Sequence, residues 1–418
     1  MSREEYDAVV VGSGAGGGFA ALGLVEAGLR VLLLERGRRF VPEEFPMAHA
    51  DWERRPHVLR SPEAQARSVV PDLGAELDPR WRHLHSRSLL SEPAGYLTRR
   101  GPFDYQRVVG LGGSTLHYDG EAHRFADFGF RSASSYGFGA DWPIGYRELE
   151  PWYERAERVL GVAGAPGNPF KPARGPYPTP AHPFNAVTQR AAEGAFRLGW
   201  SMLPNPLALP TLSVDGRSRC RRSGGCHLGC AFGAKSSTDR SALARAERSG
   251  RLAILTGARV VRLLKARDGR LDGVVYRRAG GDHRVRGRLY VLGLGAVETP
   301  RLLMVSELAN ASGLLGRYFM ELVIASLTVR FERPLAPYVG PPIQARCWDF
   351  SRPAADGPAR SGFVLGVSGT ASGHHGPASY ASSIPGIGRE HKQAMRERFG
   401  TVATLFGIAE HEPRAASP

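Results

Sequence analysis

Residues 6–35 read YDAVVVGSGAGGGFAALGLVEAGLRVLLLE and combine two apolar runs with a glycine-rich turn between them. The first six residues form a short apolar run rich in valine, which is typical of a buried parallel strand. Residues 19–27 form a helical stretch that stops at Gly28, and residues 30–34 are a second buried strand. The stretch therefore predicts a strand–helix–strand unit at the start of an α/β fold.

The turn in this unit has the spacing Gly12-x-Gly14-x-x-Gly17. In a nucleotide-binding turn, the first glycine permits the tight turn and the second lets the backbone approach a pyrophosphate. The third lets the helix pack closely on the strand, and the helix N-terminus offers free N–H groups to the phosphates. Glu35 follows about 20 residues later, where a carboxylate accepts the ribose hydroxyls. The pattern predicts a dinucleotide site and leaves FAD and NAD both open.

Composition excludes several classes of protein. The 418 residues are 42% apolar and 23% charged, which is ordinary for a globular chain of two or three domains. The net charge is 55 − 40 = +15, but the cations are scattered in short runs, so we expect a solvated basic surface and no nucleic-acid binding. No apolar run reaches the roughly 18 residues of a membrane span. The polar start is not a signal peptide, so a cytoplasmic protein is the default expectation.

The rest of the chain alternates helical and strand-like patterns. Residues 41–100 are rich in Pro, Arg and His, and we expect an excursion over the surface, such as a lid. Beyond Phe319 the runs become short and alternating, which predicts an antiparallel sheet in a second domain. The other predicted elements are helices at 144–161, 186–198 and 239–248, and strands at 253–255, 258–265, 273–278, 285–294 and 324–331.

A second glycine cluster, GLGGSTLHY, occupies residues 110–118. Small residues in succession let the backbone lie against a flat or charged ligand, and Ser114 and Thr115 add hydroxyl groups. By itself the cluster is equally consistent with a structural turn.

Three further segments follow in order, and with the two glycine clusters they carry a resemblance to a known family. The chain resembles the glucose–methanol–choline (GMC) oxidoreductases, flavoproteins that oxidise alcohol groups by hydride transfer to FAD. The resemblance covers residues 5–322 and implies FAD rather than NAD. It also implies a discontinuous Rossmann-type FAD-binding domain with an antiparallel-sheet substrate domain. The segments are DWPI at 141–144 with LEPWY at 149–153, GAKSST at 233–238, and GAVETPRLL at 295–303 with GRYFM at 316–320.

This resemblance implies a domain division and a set of cofactor-binding residues. The FAD-binding domain would comprise residues 1–165 and, with a cysteine-containing connector, 166–322, and the substrate domain residues 323–418. The residues implied to contact FAD are Gly12, Gly14 and Gly17 at the pyrophosphate, Glu35 at the ribose, Val260 at the adenine, Gly112, Gly113, Ser114 and Thr115 along the pyrophosphate and isoalloxazine, and Ala296 at the flavin.

His117 has two interpretations. Its offset from Gly112 and Gly113 is that of the histidine bonded to the flavin 8α-methyl group in some members of the family, such as choline oxidase and pyranose oxidase. Other members bind FAD without this bond, and His117 would then pack or donate a hydrogen bond beside the ring.

The cysteines have the spacing Cys220-x5-Cys226-x3-Cys230. Four arginines, at positions 217, 219, 221 and 222, lie beside the first cysteine, and we expect thiols in such surroundings to be partly ionised and competent as metal ligands. The spacing is similar to the cysteine triplet of membrane-associated glucose and fructose dehydrogenases in the family, which holds a 3Fe–4S cluster and passes electrons to a cytochrome. Two other interpretations stay open, a disulfide between Cys226 and Cys230, or buried reduced thiols.

The expected function is FAD-dependent oxidation of an alcohol or sugar CH–OH group. Electrons would pass to an external acceptor, and a cytochrome or small-subunit partner could hold the chain on the periplasmic side of the membrane. The catalytic base is unassigned, because the family's last segment, with its catalytic histidine, has no match after residue 400. The alternative is a truncated, non-catalytic flavin-binding protein, or one part of a split enzyme.

Overall fold

The computed structural model describes residues 6–51, 92–98, 101–137, 139–352, 362–369, 376–381 and 384–410. Most of the expected excursion at 41–100 lies outside these ranges. Within it, residues 42–48 form two short 3-10 turns, and a hairpin begins at Glu92.

The first half of the chain contains both helices and short strands. They are β1 (Tyr6–Val11), α1 (Ala15–Glu26), β2 (Val31–Leu34), β3 (Glu92–Thr98), β4 (Gly101–Arg107), α2 (Ser132–Tyr136), α3 (Tyr146–Leu160), β5 (Ala163–Gly164), β6 (Thr179–Pro180), α4 (Ala186–Arg197) and β7 (Met202–Pro204).

The second half contains most of the strands. They and the helices between them are α5 (Ala242–Arg248), β8 (Leu252–Leu255), β9 (Arg259–Lys265), β10 (Leu271–Arg278), β11 (Gly281–Val285), β12 (Gly287–Leu292), α6 (Gly295–Val305), β13 (Val323–Arg330), β14 (Ile343–Cys347), β15 (Phe363–Ser368), α7 (Pro377–Ala381), α8 (Gly388–Phe399) and β16 (Val402–Ala409).

A four-stranded parallel sheet forms the centre of the first region, with the order β12-β1-β2-β8. Ala8 of β1 lies between Leu289 and Val31 in register. One face packs on α1 and α5, and the other faces the β9–β10 hairpin and α6. This arrangement confirms the predicted α/β fold, and the covering of both faces explains why the strands read as continuous apolar runs.

A three-stranded antiparallel sheet, β11-β10-β9, lies beside this core. The prediction of one strand over residues 285–294 is wrong at its start, because β11 ends at Val285 and β12 begins at Gly287. The sequence of β11, GDHRV, is polar and mostly exposed, so it lacks the apolar alternation that marks a strand. It is held by pairing with β10.

A five-stranded antiparallel sheet, β13-β16-β15-β14-β7, forms the second region and confirms the expected antiparallel sheet. β7 comes from the middle of the chain, and its Met202 pairs with Cys347 of β14. Helix α4 covers part of one face, where Val187, Val367 and Ala403 are buried together. Within the described residues, no helix combines the length and apolar character required to cross a membrane.

Candidate functional site

A cleft of about 940 Å³ opens at the carboxyl ends of three parallel strands. Val11, Leu34 and Leu292, which end β1, β2 and β12, all line it. Open α/β sheets bind their ligands at this end of the strands.

The three glycines of the first turn stand in different surroundings. Gly12 has φ +93°, and a side chain there would lie 2.7 Å from the carbonyl oxygen of Gly293. At Gly17 a Cβ would lie 2.0 Å from the Gly12 oxygen, so the helix can approach the strand only without one. Gly14 has no protein atom within 4 Å of a Cβ position, and it lines the cleft. The space in front of Gly14 is therefore free for a ligand.

Glu35 lies at the cleft wall and is 8% exposed. Its Oε2 accepts hydrogen bonds from the backbone N–H and the hydroxyl of Ser13, at 3.2 and 2.5 Å, and its Oε1 accepts one from the N–H of Gly37 at 2.7 Å. These bonds fix the carboxylate, and Oε1, which accepts one of the three, keeps a lone pair that could accept a hydrogen bond from a ligand hydroxyl group.

The second glycine cluster lies against the first turn. Gly112 has φ +110° and donates its N–H to Ser13 Oγ at 2.9 Å. The short 3-10 turn Gly113–Leu116 follows, and Gly113, Ser114 and Thr115 line the cleft. Two segments about 100 residues apart in sequence thus form one wall, whereas Gly112 and Gly17 lie behind it.

Val260 and Ala296 line the same cleft. Val260 is the second residue of β9, and Ala296 is in the first turn of α6. Three arginines that were not among the predicted site residues, Arg36, Arg259 and Arg301, also line the cleft. Arg301 lies in the family segment at 295–303, whereas Arg36 and Arg259 carry no sequence signal that separates them from the other arginines of the chain.

Thr238 is a further residue that sequence reasoning missed. Its hydroxyl donates to the carbonyl oxygen of Ser13 at 2.7 Å, and its N–H donates to Thr115 Oγ1 at 3.0 Å. It thereby joins the segment GAKSST to both glycine turns. The family segment GAKSST could have identified Thr238 as a candidate residue, but it does not predict which residues Thr238 contacts.

The family model for the GMC oxidoreductases matches residues 143–324, and a model for an FAD-binding domain matches residues 7–45. The chain belongs to the GMC oxidoreductase family. The second match covers the glycine turn and Glu35, so FAD is the cofactor to which this domain type corresponds.

Three curated relatives place the chain among GMC dehydrogenases and oxidases. The 2-methyl-1,2-propanediol dehydrogenase of Mycolicibacterium austroafricanum is 28% identical over 99% of this chain and 73% of its own length. The fructose dehydrogenase large subunit of Gluconobacter japonicus is 29% identical over 77% of this chain and 59% of its own length. Paromamine 6'-oxidase of Streptomyces fradiae is 32% identical over 75% of this chain and 53% of its own length. The chain therefore spans between about half and three quarters of these relatives.

Solved GMC-like structures share the fold. Pyridoxine 4-oxidase from Mesorbium loti matches with a TM-score of 0.57 and 19% identity, over 96% of this chain and 71% of that one. A formate oxidase matches with a TM-score of 0.57 and 13% identity, over 98% of this chain and 73% of that one.

In this GMC chain, His117 is not one of the residues that line the cleft. Its Nδ1 is 2.7 Å from the carbonyl oxygen of His227, and the two imidazole rings meet edge to face at 5.1 Å. Burial, with a contribution from the charge of His227, lowers the pKa of His117 to about 4. The ring is therefore neutral at pH 7 and directed toward the cysteine segment.

Lys235 connects the cleft to the cysteine segment. Its ammonium group is buried and donates to the carbonyl oxygens of Leu116, Tyr118 and Cys226 at 2.8, 3.0 and 2.6 Å. Burial lowers the pKa of Lys235. Three acceptors satisfy all three N–H donors of the group, so the side chain holds the second glycine cluster and the cysteine segment together.

The three clustered cysteines share one small cavity of about 20 Å³. The backbone N–H of Arg222 donates to Cys220 Sγ, and that of Lys235 to Cys230 Sγ, both at 3.3 Å. All four cysteines of the chain are free, so the interpretation of a disulfide between Cys226 and Cys230 is not borne out.

The prediction of partly ionised thiols is wrong for Cys220 and Cys226. Burial raises the pKa of Cys220, and it raises the pKa of Cys226 well above its ordinary value. The arginines are near in sequence, but desolvation of the thiolate outweighs their charge. Across the described ranges, no three His, Cys, Asp or Glu side chains are grouped so that they could hold a metal ion.

Proposed function

We propose that this GMC chain binds FAD in the cleft and oxidises the CH–OH group of a small alcohol or sugar. The observation that carries the proposal is the open space before Gly14 at the strand ends, bounded by both glycine turns. Bound FAD supplies a hydride acceptor for the substrate carbon.

The chain's own residues bind and orient the cofactor. Backbone N–H groups after Gly14 and the N-terminus of α1 would bind the pyrophosphate. Glu35, fixed by Ser13, would accept the adenosine ribose hydroxyls, and Val260 would contact the adenine. On the other side, Gly113, Ser114, Thr115 and Ala296 would border the isoalloxazine, where small side chains permit close contact.

The substrate class is inferred from the relatives. The propanediol dehydrogenase, the fructose dehydrogenase subunit and the paromamine oxidase are all named for hydroxylated molecules. We infer a small molecule with a primary or secondary hydroxyl group, and an external electron acceptor.

A pair of alanine variants tests FAD binding. Gly14→Ala adds a methyl group that touches no protein atom but occupies the space proposed for the pyrophosphate. Gly23→Ala, in α1, also adds a methyl group in open space and serves as the matched control. We expect flavin absorbance in the native chain and in Gly23→Ala, and at least about a tenfold loss of FAD affinity in Gly14→Ala.

Enzymatic turnover tests the proposed oxidation of a CH–OH group. The FAD-loaded chain is assayed with diols and sugars and an artificial electron acceptor. A chain that takes up no FAD contradicts the whole proposal. A chain that holds FAD and oxidises none of these substrates supports the alternative, a non-catalytic flavin-binding protein or one part of a split enzyme.

We propose a non-covalent role for His117. The contact of its Nδ1 with the His227 carbonyl and its position outside the cleft lining support packing rather than a bond to the flavin. Acid precipitation of the FAD-loaded chain separates the two cases. Colour left in the supernatant is expected, and colour retained in the pellet would contradict the proposal.

An iron–sulfur cluster at Cys220, Cys226 and Cys230 is a second proposal. Its support is the shared cavity and the two N–H groups directed at sulfur, since such bonds stabilise thiolate ligands. The cavity of about 20 Å³ would have to widen to admit it. When bound, the cluster supplies a one-electron relay.

Metal analysis of cysteine variants tests this second proposal. The anaerobically purified chain should contain iron and acid-labile sulfide, and Cys226→Ser should lose both. Cys347→Ser is the matched control, because Cys347 is buried in β14, outside the cavity that the three clustered cysteines share. Equal iron content in all three proteins, or none in the native chain, would support buried reduced thiols instead.

A further inference from the structure

The imidazole of His123 has one nitrogen bound and one free. Its Nε2 lies 2.9 Å from Oε2 of Glu121. A carboxylate only accepts hydrogen bonds, so Nε2 carries the proton and Nδ1 of the neutral ring keeps its lone pair. Within the described part of the chain, Nδ1 is neither hydrogen-bonded nor buried. The side chain is 21% exposed, so Nδ1 is open to a ligand.

Glu121 is in turn held by Arg346. The guanidinium donates through Nη2 to both carboxylate oxygens, at 2.7 and 2.8 Å, and through Nε to Oε2 at 3.2 Å. Burial alone would raise the pKa of Glu121, but the hydrogen bond from His123 and the charge of Arg346 outweigh burial and lower this pKa. The carboxylate is therefore ionised and fixed, as a group that orients a base has to be.

The surroundings of His123 keep its ring oriented and neutral. The ring meets the indole of Trp348 edge to face at 5.0 Å, and the Lys171 ammonium group lies 3.9 Å from the centre of an indole ring. Burial lowers the pKa of His123, and the hydrogen bond with Glu121 offsets only part of this shift. The charges of Arg346 and Lys171 add to the lowering. At pH 7 the imidazole is therefore neutral, which is the form that accepts a proton.

This pair of side chains lies where the cleft meets the five-stranded sheet. Tyr118 lines the cleft, and Glu121 follows three residues later, so their Cα atoms are at most about 11 Å apart. Residues 120–122 pair with residues 206–208, which come soon after β7 of the sheet. Arg346 belongs to β14 of the same sheet. Small-molecule sites commonly lie at such a junction between two regions.

We propose that Nδ1 of His123 is the general base of the proposed oxidation, on which this inference rests. An alcohol that gives up a hydride must also lose its O–H proton. The substrate gives this proton to Nδ1 and the hydride of its carbinol carbon to bound FAD, so it loses two electrons and becomes a carbonyl compound. Glu121 positions the ring and stabilises the imidazolium that forms. The proton then leaves to solvent.

A second histidine–carboxylate pair competes for this role. His227 Nε2 lies 2.5 Å from Asp119 Oδ1. Among the described residues, however, no arginine forms an ion pair with Asp119, and His227 is placed inside the cysteine segment. The anchored arrangement of His123, Glu121 and Arg346 therefore favours His123 as the base.

Anaerobic reduction of the flavin tests this assignment. The FAD-loaded chain is mixed with 2-methyl-1,2-propanediol or fructose, the molecules for which two relatives are named, and the loss of flavin absorbance is timed. His123→Gln keeps an amide donor for Glu121 but has no basic nitrogen. We expect its reduction rate to fall at least about 100-fold at unchanged FAD affinity, and added imidazole to restore part of it. His283→Gln, at an exposed position, is the matched control and should keep the native rate.

The positioning role of Glu121 has its own signature. Glu121→Gln removes a charge that raises the pKa of His123. The pH at which the reduction rate reaches half its maximum should therefore fall, and the maximum itself should drop about tenfold. A purely structural role would lower the stability of the chain without moving this pH.

Chemical modification gives a readout that needs no turnover. Diethyl pyrocarbonate reacts with accessible, unprotonated imidazole nitrogens, and peptide mass spectrometry locates the product. His123 should react, and the diol or fructose should protect it. His182, whose unpaired Nδ1 is buried, should not react.

The outcomes separate this inference from the function on which it rests. Equal reduction rates in the native chain and His123→Gln would overturn the base alone, as would a loss confined to His227→Gln. Failure of both alcohols to protect His123 would overturn it too. A native chain that holds FAD but is reduced by no diol or sugar contradicts the oxidation and the base together.

Discussion

Strands β2 and β13 are both apolar but have opposite surroundings. The four residues of β2, VLLL, are all buried, whereas β13, VIASLTVR, exposes seven of eight. β2 lies between two strands and beneath helices, and β13 lies at the edge of its sheet beside an open groove. Hydrophobicity shows that a strand is suited to burial, but the neighbouring elements decide whether it is buried.

The same contrast between buried and exposed residues is found between the two sides of the five-stranded sheet. At its β14 side, Arg346 is 5% exposed and its Nη2 donates to both carboxylate oxygens of Glu121, at 2.7 and 2.8 Å. At its β13 side, the arginine that ends the strand, Arg330, is exposed. Within the described residues, the sheet is therefore anchored to the rest of the chain by a buried ion pair at its β14 side, whereas the residues at its β13 side are exposed.

The largest expected effect follows from this anchor. Arg346→Met should lower the free energy of unfolding by about 4 kcal/mol, because it leaves the Glu121 carboxylate partly buried without its cationic partner. Arg330→Met, on the exposed edge, should change it by less than about 0.5 kcal/mol. Urea unfolding measures both. Similar losses for the two variants would show that the contrast between the two sides has no energetic basis.

The next largest effect on the free energy of unfolding is expected in the parallel sheet. Leu33→Ala removes a fully buried side chain from β2 and should cost about 3 kcal/mol, through lost burial and a residual cavity. Leu322→Ala, at a 61% exposed position just before β13, is the counterpart and should cost almost nothing. If Leu33→Ala cost under about 1 kcal/mol, the core around β2 would have to be loosely packed.

A pH dependence of about 2 kcal/mol between pH 4.5 and 7 is expected from His117. Burial lowers its pKa to about 4 in the folded chain, against 6.5 in the unfolded one. Between these values the unfolded chain binds the extra proton, so the contribution is complete above pH 6.5 and is lost as the pH falls toward 4. Unfolding measured from pH 4.5 to 7 should show a steeper loss of stability toward low pH in the native chain than in His117→Gln, in which His123 and His182, whose pKa values burial also lowers, still contribute. His283→Gln, at an exposed position, should keep the native slope.

The smallest effect concerns Asn185, which caps the helix beneath the five-stranded sheet. Its Oδ1 accepts from the N–H of Thr188 at 2.8 Å, and its Nδ2 donates to the Val339 carbonyl at 2.9 Å. Asn185→Ala should cost about 1 kcal/mol. Asn185→Asp keeps the capping acceptor and loses the donor, so thermal unfolding of both variants separates the two bonds. Equal losses would assign the whole effect to the contact with Val339.

The local sequence pattern was sufficient to predict much of the fold. The predicted strand at residues 6–11 and the helix and strand after it are confirmed, because glycine spacing and continuous apolar runs report directly on a covered parallel sheet. The polar strand β11 was missed, since its stability comes from pairing with β10 rather than from its own composition.

Contacts across the chain could not be predicted in this way. The bonds from Thr238 to Ser13 and from Lys235 to Leu116 join residues more than 100 positions apart, and no periodicity encodes them. Thiol ionisation was misjudged for the same reason. Neighbouring arginines are visible in the sequence, but the burial that outweighs them at Cys226 depends on tertiary packing.

Lys235 has a consequence for how this chain can change over evolutionary time. Its three hydrogen bonds fix the backbone at the end of the second glycine cluster to the backbone at Cys226. An insertion or deletion in either loop would displace carbonyl groups that the other loop needs in place. The two loops can therefore change in length only as a matched pair.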